Sequence, residues 1–145
     1  ESSYRMWDDH KLAGIGLNSW QKAYAEGPYH PAESREAGQV MPHNVVIYFF
    51  STGGVISGIA FLIYGVLVFW YLLKEARRKK TDFFNWGVLL AYLAFMAHGM
   101  VDQSFILNLT GRIYYMLLGT AILYNRWRPE NDPIEEQKSP PSSAL

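Results

Sequence analysis

The sequence predicts an all-α fold: a polytopic transmembrane helical protein, of which this chain is a C-terminal fragment with an extracytoplasmic loop followed by three membrane segments. Two long uncharged runs, two basic clusters between and after the apolar segments, and a Pro- and Ser-rich end predict it. Together they set a loop over residues 1–43, a membrane region over 44–128 and a disordered cytoplasmic tail over 129–145. Whole-chain averages hide this arrangement. The 145 residues carry 13 basic and 13 acidic side chains, a formal net charge of +0 and a mean hydropathy of −0.05, values that suit an ordinary soluble domain. The apolar residues are concentrated between Val45 and Tyr124, so the average blends two solvents.

From Asn44 to Leu73 no residue is charged, and at about 1.5 Å of rise per residue the run exceeds the roughly 30 Å needed to cross a bilayer. A second uncharged run, Phe83 to Val101, is long enough to span and ends at Asp102. The third candidate covers about 112–125, preceded by a re-entrant or interfacial segment near residues 104–111. Spans are therefore expected at about 44–73, 83–101 and 112–125. Lys74-Glu75-Ala76-Arg77-Arg78-Lys79-Lys80 lies between the first two, and Asn125-Arg126-Trp127-Arg128 follows the third. Basic residues favour the cytoplasmic side, so both clusters are placed inside and residues 1–43 outside, where four bases meet six acids. Trp70, Tyr71, Trp86 and Trp127 then flank the inner boundary, as amphipathic rings prefer. The tail holds Pro129, Pro133, Pro140 and Pro141 with Ser139, Ser142 and Ser143, a composition that favours disorder. There are no internal repeats. Zero cysteines exclude a disulfide framework and any Cys-based zinc or redox site. The chain opens on Glu1-Ser2-Ser3 without a basic-then-apolar leader, so residue 1 is expected to lie inside a longer gene product.

Pro42-His43-Asn44 stands at the start of the first span, followed by Thr52-Gly53-Gly54-Val55-Ile56-Ser57-Gly58. An imidazole at a membrane boundary stays partly hydrated and suits a general base; the plain alternative is a polar helix cap. Gly54 and Gly58 form a small-xxx-small pair whose default role is close helix packing. Gly14 and Gly16 admit positive φ or a close ligand approach, with a tight turn as the plain alternative. His98 and Asp102, four apart, share a face of the second span, where Asp102 could orient the imidazole or pair with Arg112; a structural clamp accounts for them equally. Asn108-Leu109-Thr110 fits a glycosylation sequon and is read as coincidence. The 74–80 cluster needs only a topological explanation.

These residues resemble a family. His43-Asn44, nine residues, then Gly54-Val55-Ile56-Ser57 is similar to the motif of the O-antigen ligase and O-antigen polymerase superfamily, with Ser57 where a second glycine is usual. Leu12-Ala13-Gly14-Ile15-Gly16 looks like that family's Gly-x-Gly element, and His98-Gly99-Met100-Val101-Asp102 like its His…Asp element.

The resemblance implies a metal-independent glycosyltransferase, without cofactor, in the bacterial inner membrane. It would move a glycan from a polyprenyl-pyrophosphate carrier to an acceptor hydroxyl, either a growing glycan or a lipid A core. In that reading His43 and Asn44 are catalytic: His43 takes the acceptor proton and Asn44 holds the imidazole or a sugar hydroxyl. Arg5, Gly14, Gly16 and Arg112 bind substrate, and His98, Asp102, Gly54 and Gly58 support the site. Partners are the lipid-linked glycan, its acceptor and membrane lipid, with no nucleic acid and no metal. Ligase and polymerase stay open. The alternative is a non-enzymatic transport or polysaccharide-assembly subunit using His98, Asp102 and Arg112 as a proton or solute path.

Overall fold

The computed structural model describes residues 1–30, 41–78, 83–102 and 108–127. All regular structure among them is helical: α1 (Ser2–Asp9), α2 (Trp20–Glu26), α3 (Val45–Arg78), α4 (Phe83–Gly99) and α5 (Asn108–Trp127). Among the described residues one helix, the 34-residue α3, is long and apolar enough to cross a membrane, with a mean hydropathy of 2.2 over its most apolar 18-residue stretch. The 17-residue α4 is apolar but shorter, and the 20-residue α5 carries Arg112 and Arg126. Residues 108–111 are helical and form the first turn of α5, which outruns the expected 112–125 at both ends, while 104–107 of the expected re-entrant or interfacial segment lie outside the described residues. Residues 103–107, Lys79, Lys80, Arg128 and the tail 129–145 lie outside the described residues.

Asn44 caps α3 with its Oδ1, which accepts the Ile47 N–H at 3.1 Å. The helix is not continuous. Gly54 has φ 69° and ψ −167°, a backbone region open almost only to glycine, and it divides α3 into residues 45–53 and 55–78. Phe49 and Phe61 stack with centroids 4.3 Å apart, whereas twelve residues of straight helix would separate them by about 18 Å. The first half therefore folds back against the second. The expected 44–73 span is thus two pieces. Residues 55–78 alone, at about 1.5 Å each, still reach roughly 36 Å.

A broken helix frees carbonyls and N–H groups that need new partners. They are supplied by the segment between α1 and α2. The Ile15 N–H donates to Ser51 O and the Gly16 N–H to Thr52 O, both at 2.9 Å, while the Val55 N–H donates to Lys11 O at 2.8 Å. Backbone contact this close requires glycine on both sides. A Cβ on Gly14 would stand 2.4 Å from the Thr52 carbonyl carbon, and one on Gly54 would stand 2.0 Å from Leu12 O. Residues 1–30 form a small helical unit with its own core of Met6, Trp20, Tyr24 and Tyr29, against which Tyr48 of α3 packs. The Trp20 indole donates to Ser3 Oγ at 2.9 Å, and Trp7 meets Phe50 edge to face.

α3, α4 and α5 run up and down beside one another around Val68, Leu72, Ala76, Val88, Leu89, Tyr92, Tyr114 and Ala121. Polar ties set their register. The Tyr92 hydroxyl donates to Gly65 O at 2.6 Å, Tyr64 and Tyr114 hydroxyls meet at 3.1 Å, and Asn85 and Asn125 exchange amide hydrogen bonds at 2.8 and 2.9 Å. Each asparagine satisfies the other, so truncating one leaves the second wanting. Asn85→Leu or Asn125→Leu alone should cost roughly 1–3 kcal/mol, and the double change should recover part of that loss. Melting temperatures of the two singles and the double in detergent check it; strictly additive losses would refute a reciprocal pair.

Candidate functional site

One asparagine brings the site together. Besides capping α3, Asn44 donates its Nδ2 to Met100 O at 3.0 Å, tying the start of α3 to the turn that ends α4. In that turn the Val101 and Asp102 N–H groups both donate to His98 O, at 3.0 and 2.9 Å, which holds Asp102 above His98. The result sets one carboxylate between two imidazoles. Asp102 Oδ1 lies 3.9 Å from His43 Nδ1, and Oδ2 lies 3.5 Å from His98 Nε2. The three side chains are about half exposed, at 63%, 49% and 54% for His43, Asp102 and His98. Ion pairs this wet add little stability, so the arrangement is better suited to orienting rings than to holding helices.

His43 and Asn44 open on a cleft of about 550 Å³. Its walls come from the α1 end (Ser2, Ser3, Tyr4), from Trp20 and Tyr24 of α2, and from Met100 and Val101. The N-terminal unit thus closes one side of the histidine's surroundings. The cleft mixes hydroxyls and aromatic faces with apolar side chains and the Glu1 carboxylate.

The residues expected to act together do so only in part. His43, Asn44, His98 and Asp102 converge, but Asn44 spends both ends of its amide on backbone groups and so acts as cap and tie. Gly14 and Gly16 do not cradle an anion. The N–H groups of Gly14, Ile15 and Gly16 are taken by His10 O, Ser51 O and Thr52 O, so the element serves the break in α3 instead. Gly54 and Gly58 do not share one packing partner: Gly54 receives the Leu12–Ala13 backbone, and the Phe50 ring, from the folded-back first half of α3, occupies the space above Gly58. Arg5, exposed on α1, and Arg112, exposed on α5, line no part of the cleft. Arg112 makes no ion pair among the described residues; Asp102 faces the two histidines in its place.

Sequence reasoning missed Trp20, Tyr24 and Ser3 as walls of the cleft. Their signal was weak, since an aromatic pair four apart and a serine seventeen residues away announce nothing until the chain folds. It also missed the docking of the glycine loop, for which the adjacent Gly53-Gly54 inside an apolar run was a usable sign. No known family model and no curated protein matches the sequence.

Proposed function

We propose that this chain, an outer loop followed by three membrane helices, is part of a polytopic membrane glycosyltransferase resembling the O-antigen ligases and polymerases, moving a glycan from a polyprenyl-pyrophosphate carrier to an acceptor hydroxyl. The observation that carries the reading is the His43–Asp102 pair at the mouth of the cleft. Asp102 lies on the Nδ1 side of the ring, 3.9 Å away, where its charge favours the tautomer with the proton on Nδ1 and the basic lone pair on Nε2. On this reading Nε2 takes the acceptor proton as its oxygen attacks the anomeric carbon, and the pyrophosphate leaves. His98 holds the other carboxylate oxygen. The departing charge needs guanidinium partners, a role for which Arg5 and Arg112 stand too far from the cleft among the described residues. The alternative of a proton path through His98, Asp102 and Arg112 lacks support from its third member, which does not join the other two.

The same proposal places α3, α4 and α5 across the bacterial inner membrane, with residues 1–43 outside and Arg126 inside. Exposed apolar side chains on α3 and α5, Leu67 at 63% and Met116 at 72% among them, suit a lipid environment. A cysteine at the exposed Leu17 should react with an impermeant thiol reagent on intact cells, and one at Trp127 should react only after lysis. The reverse pattern rejects the orientation and the enzyme with it. The direct test incubates the purified full-length protein with a lipid-linked glycan donor and acceptor. Release of polyprenyl pyrophosphate matched to glycan transfer is expected, and an intact protein without transfer ends the reading.

A further inference from the structure

A stripe runs along the second half of α3 on the side turned away from the bundle. Ile63, Leu67, Trp70, Lys74 and Arg77 follow one another at spacings of four and three, and so share one helix face. All are exposed, Ile63 at 54%, Leu67 at 63% and Trp70 at 59%, while Leu72 and Ala76 on the opposite side are buried at 1% and 0%. The stripe changes character along its length from apolar, to aromatic, to cationic. At the change the surface hollows into a cavity of about 650 Å³ lined by Trp70, Tyr71, Leu73, Lys74, Arg77 and Arg78. The nearby acid is engaged elsewhere: Glu75 turns toward Arg78 at 3.7 Å. Lys74 and Arg77 have no acidic partner among the described residues.

We infer that this hollow holds the headgroup of an anionic phospholipid, with Lys74 and Arg77 on the phosphate, Trp70 at the glycerol level and the acyl chains along Leu67 and Ile63. The order of the stripe matches the order of chemistry in such a lipid, from tail to interface to charge. Neighbouring aromatic side chains at the same end, Phe83 at 85% exposed and Trp127 at 81%, continue the interfacial layer. A nucleic acid fits poorly, because the cations border an apolar face instead of an extended basic surface. A second copy packed in parallel on the stripe would set Lys74 and Arg77 against their own equivalents.

The inference rests on the membrane reading of α3 and reaches beyond the proposed reaction, which takes place at the other end of the helices. The experiment measures binding of phosphatidylglycerol, phosphatidylcholine and inorganic phosphate to the purified protein in detergent, with melting temperature as a second readout. Phosphatidylglycerol should bind and raise the melting temperature, and the other two should do neither. Lys74→Gln/Arg77→Gln should weaken phosphatidylglycerol roughly thirtyfold, given the usual contribution of each surface cation to anionic membranes, without altering the melting temperature of the lipid-free protein. The charge-preserving Lys74→Arg/Arg77→Lys pair should bind almost as wild type. Equal binding of phosphatidylcholine, equal protection by inorganic phosphate, undiminished binding by the glutamine pair, or a dimer whose contact runs through Trp70 would each overturn the site. Carbonate extraction separates the levels: release from membranes removes the membrane reading and this site together, whereas retention without headgroup discrimination removes the site alone.

Discussion

On the proposed reading, His43→Ala in the full-length protein should lower glycan transfer by about 10²–10⁴-fold while insertion and melting temperature stay near those of the wild type, as expected of a positioned general base. The small cost to folding follows from the structure. His43 is 63% exposed and its pairing with Asp102 at 3.9 Å is solvated, so little stability is lost with it. Asn44, not His43, makes the cap. Asp102→Asn provides the companion measurement, since an amide keeps the shape but neither fixes the tautomer nor stabilises the imidazolium. It should lower turnover by less than His43→Ala and should add nothing further in the His43→Ala background. Matched turnover by His43→Ala and wild type, at equal protein level, would return the histidine to the edge of a cap and remove the proposed chemistry.

The sequence made the helical content and the polar-apolar-polar layout legible because burial in lipid or core leaves long uncharged runs, and nothing else in a short chain does. It could not reveal where α3 ends as a single object. Residues 44 to 73 read as one apolar run because hydropathy records which residues avoid water and not whether the axis is straight. The break is specified by Gly54 and by a loop forty residues upstream, and only the second makes the first tolerable. The same holds for the site. His43, His98 and Asp102 could be singled out as polar groups at apolar boundaries, yet their meeting depends on Asn44 reaching Met100 O, a contact over fifty-six residues. Arg112 drew attention as an interruption of an apolar stretch and was assigned a partner by proximity in sequence. Asp102 was already committed to the histidines.

The largest effect on stability should come from the glycines of the break. Gly54→Ala places a methyl group 2.0 Å from Leu12 O, which is backbone and cannot swing aside, and forces an L side chain into φ 69°, ψ −167°. That backbone region costs on the order of 1–3 kcal/mol for a non-glycine residue even without a clash. Relieving the clash means withdrawing residues 11–16, with the loss of three backbone hydrogen bonds at roughly 0.5–1.5 kcal/mol each and of buried partners for the freed groups. A total above about 4 kcal/mol is therefore expected, in the range reserved for breakage of a specific structural device. Gly14→Ala attacks the same contact from the other side, 2.4 Å from the Thr52 carbonyl carbon at φ +66°, and should be comparably damaging. Once the clasp is open the second substitution has little left to disrupt, so the double variant should be far better than the sum of the singles. Gly87→Ala and Gly119→Ala are the controls: a Cβ at either meets nothing within 4 Å, and helix propensity alone predicts a gain of up to about 1 kcal/mol. Thermal melts of the five variants in one detergent decide the matter. A Gly54→Ala protein as stable as the Gly87→Ala control would mean that α3 runs straight through residue 54 and that the loop docks elsewhere.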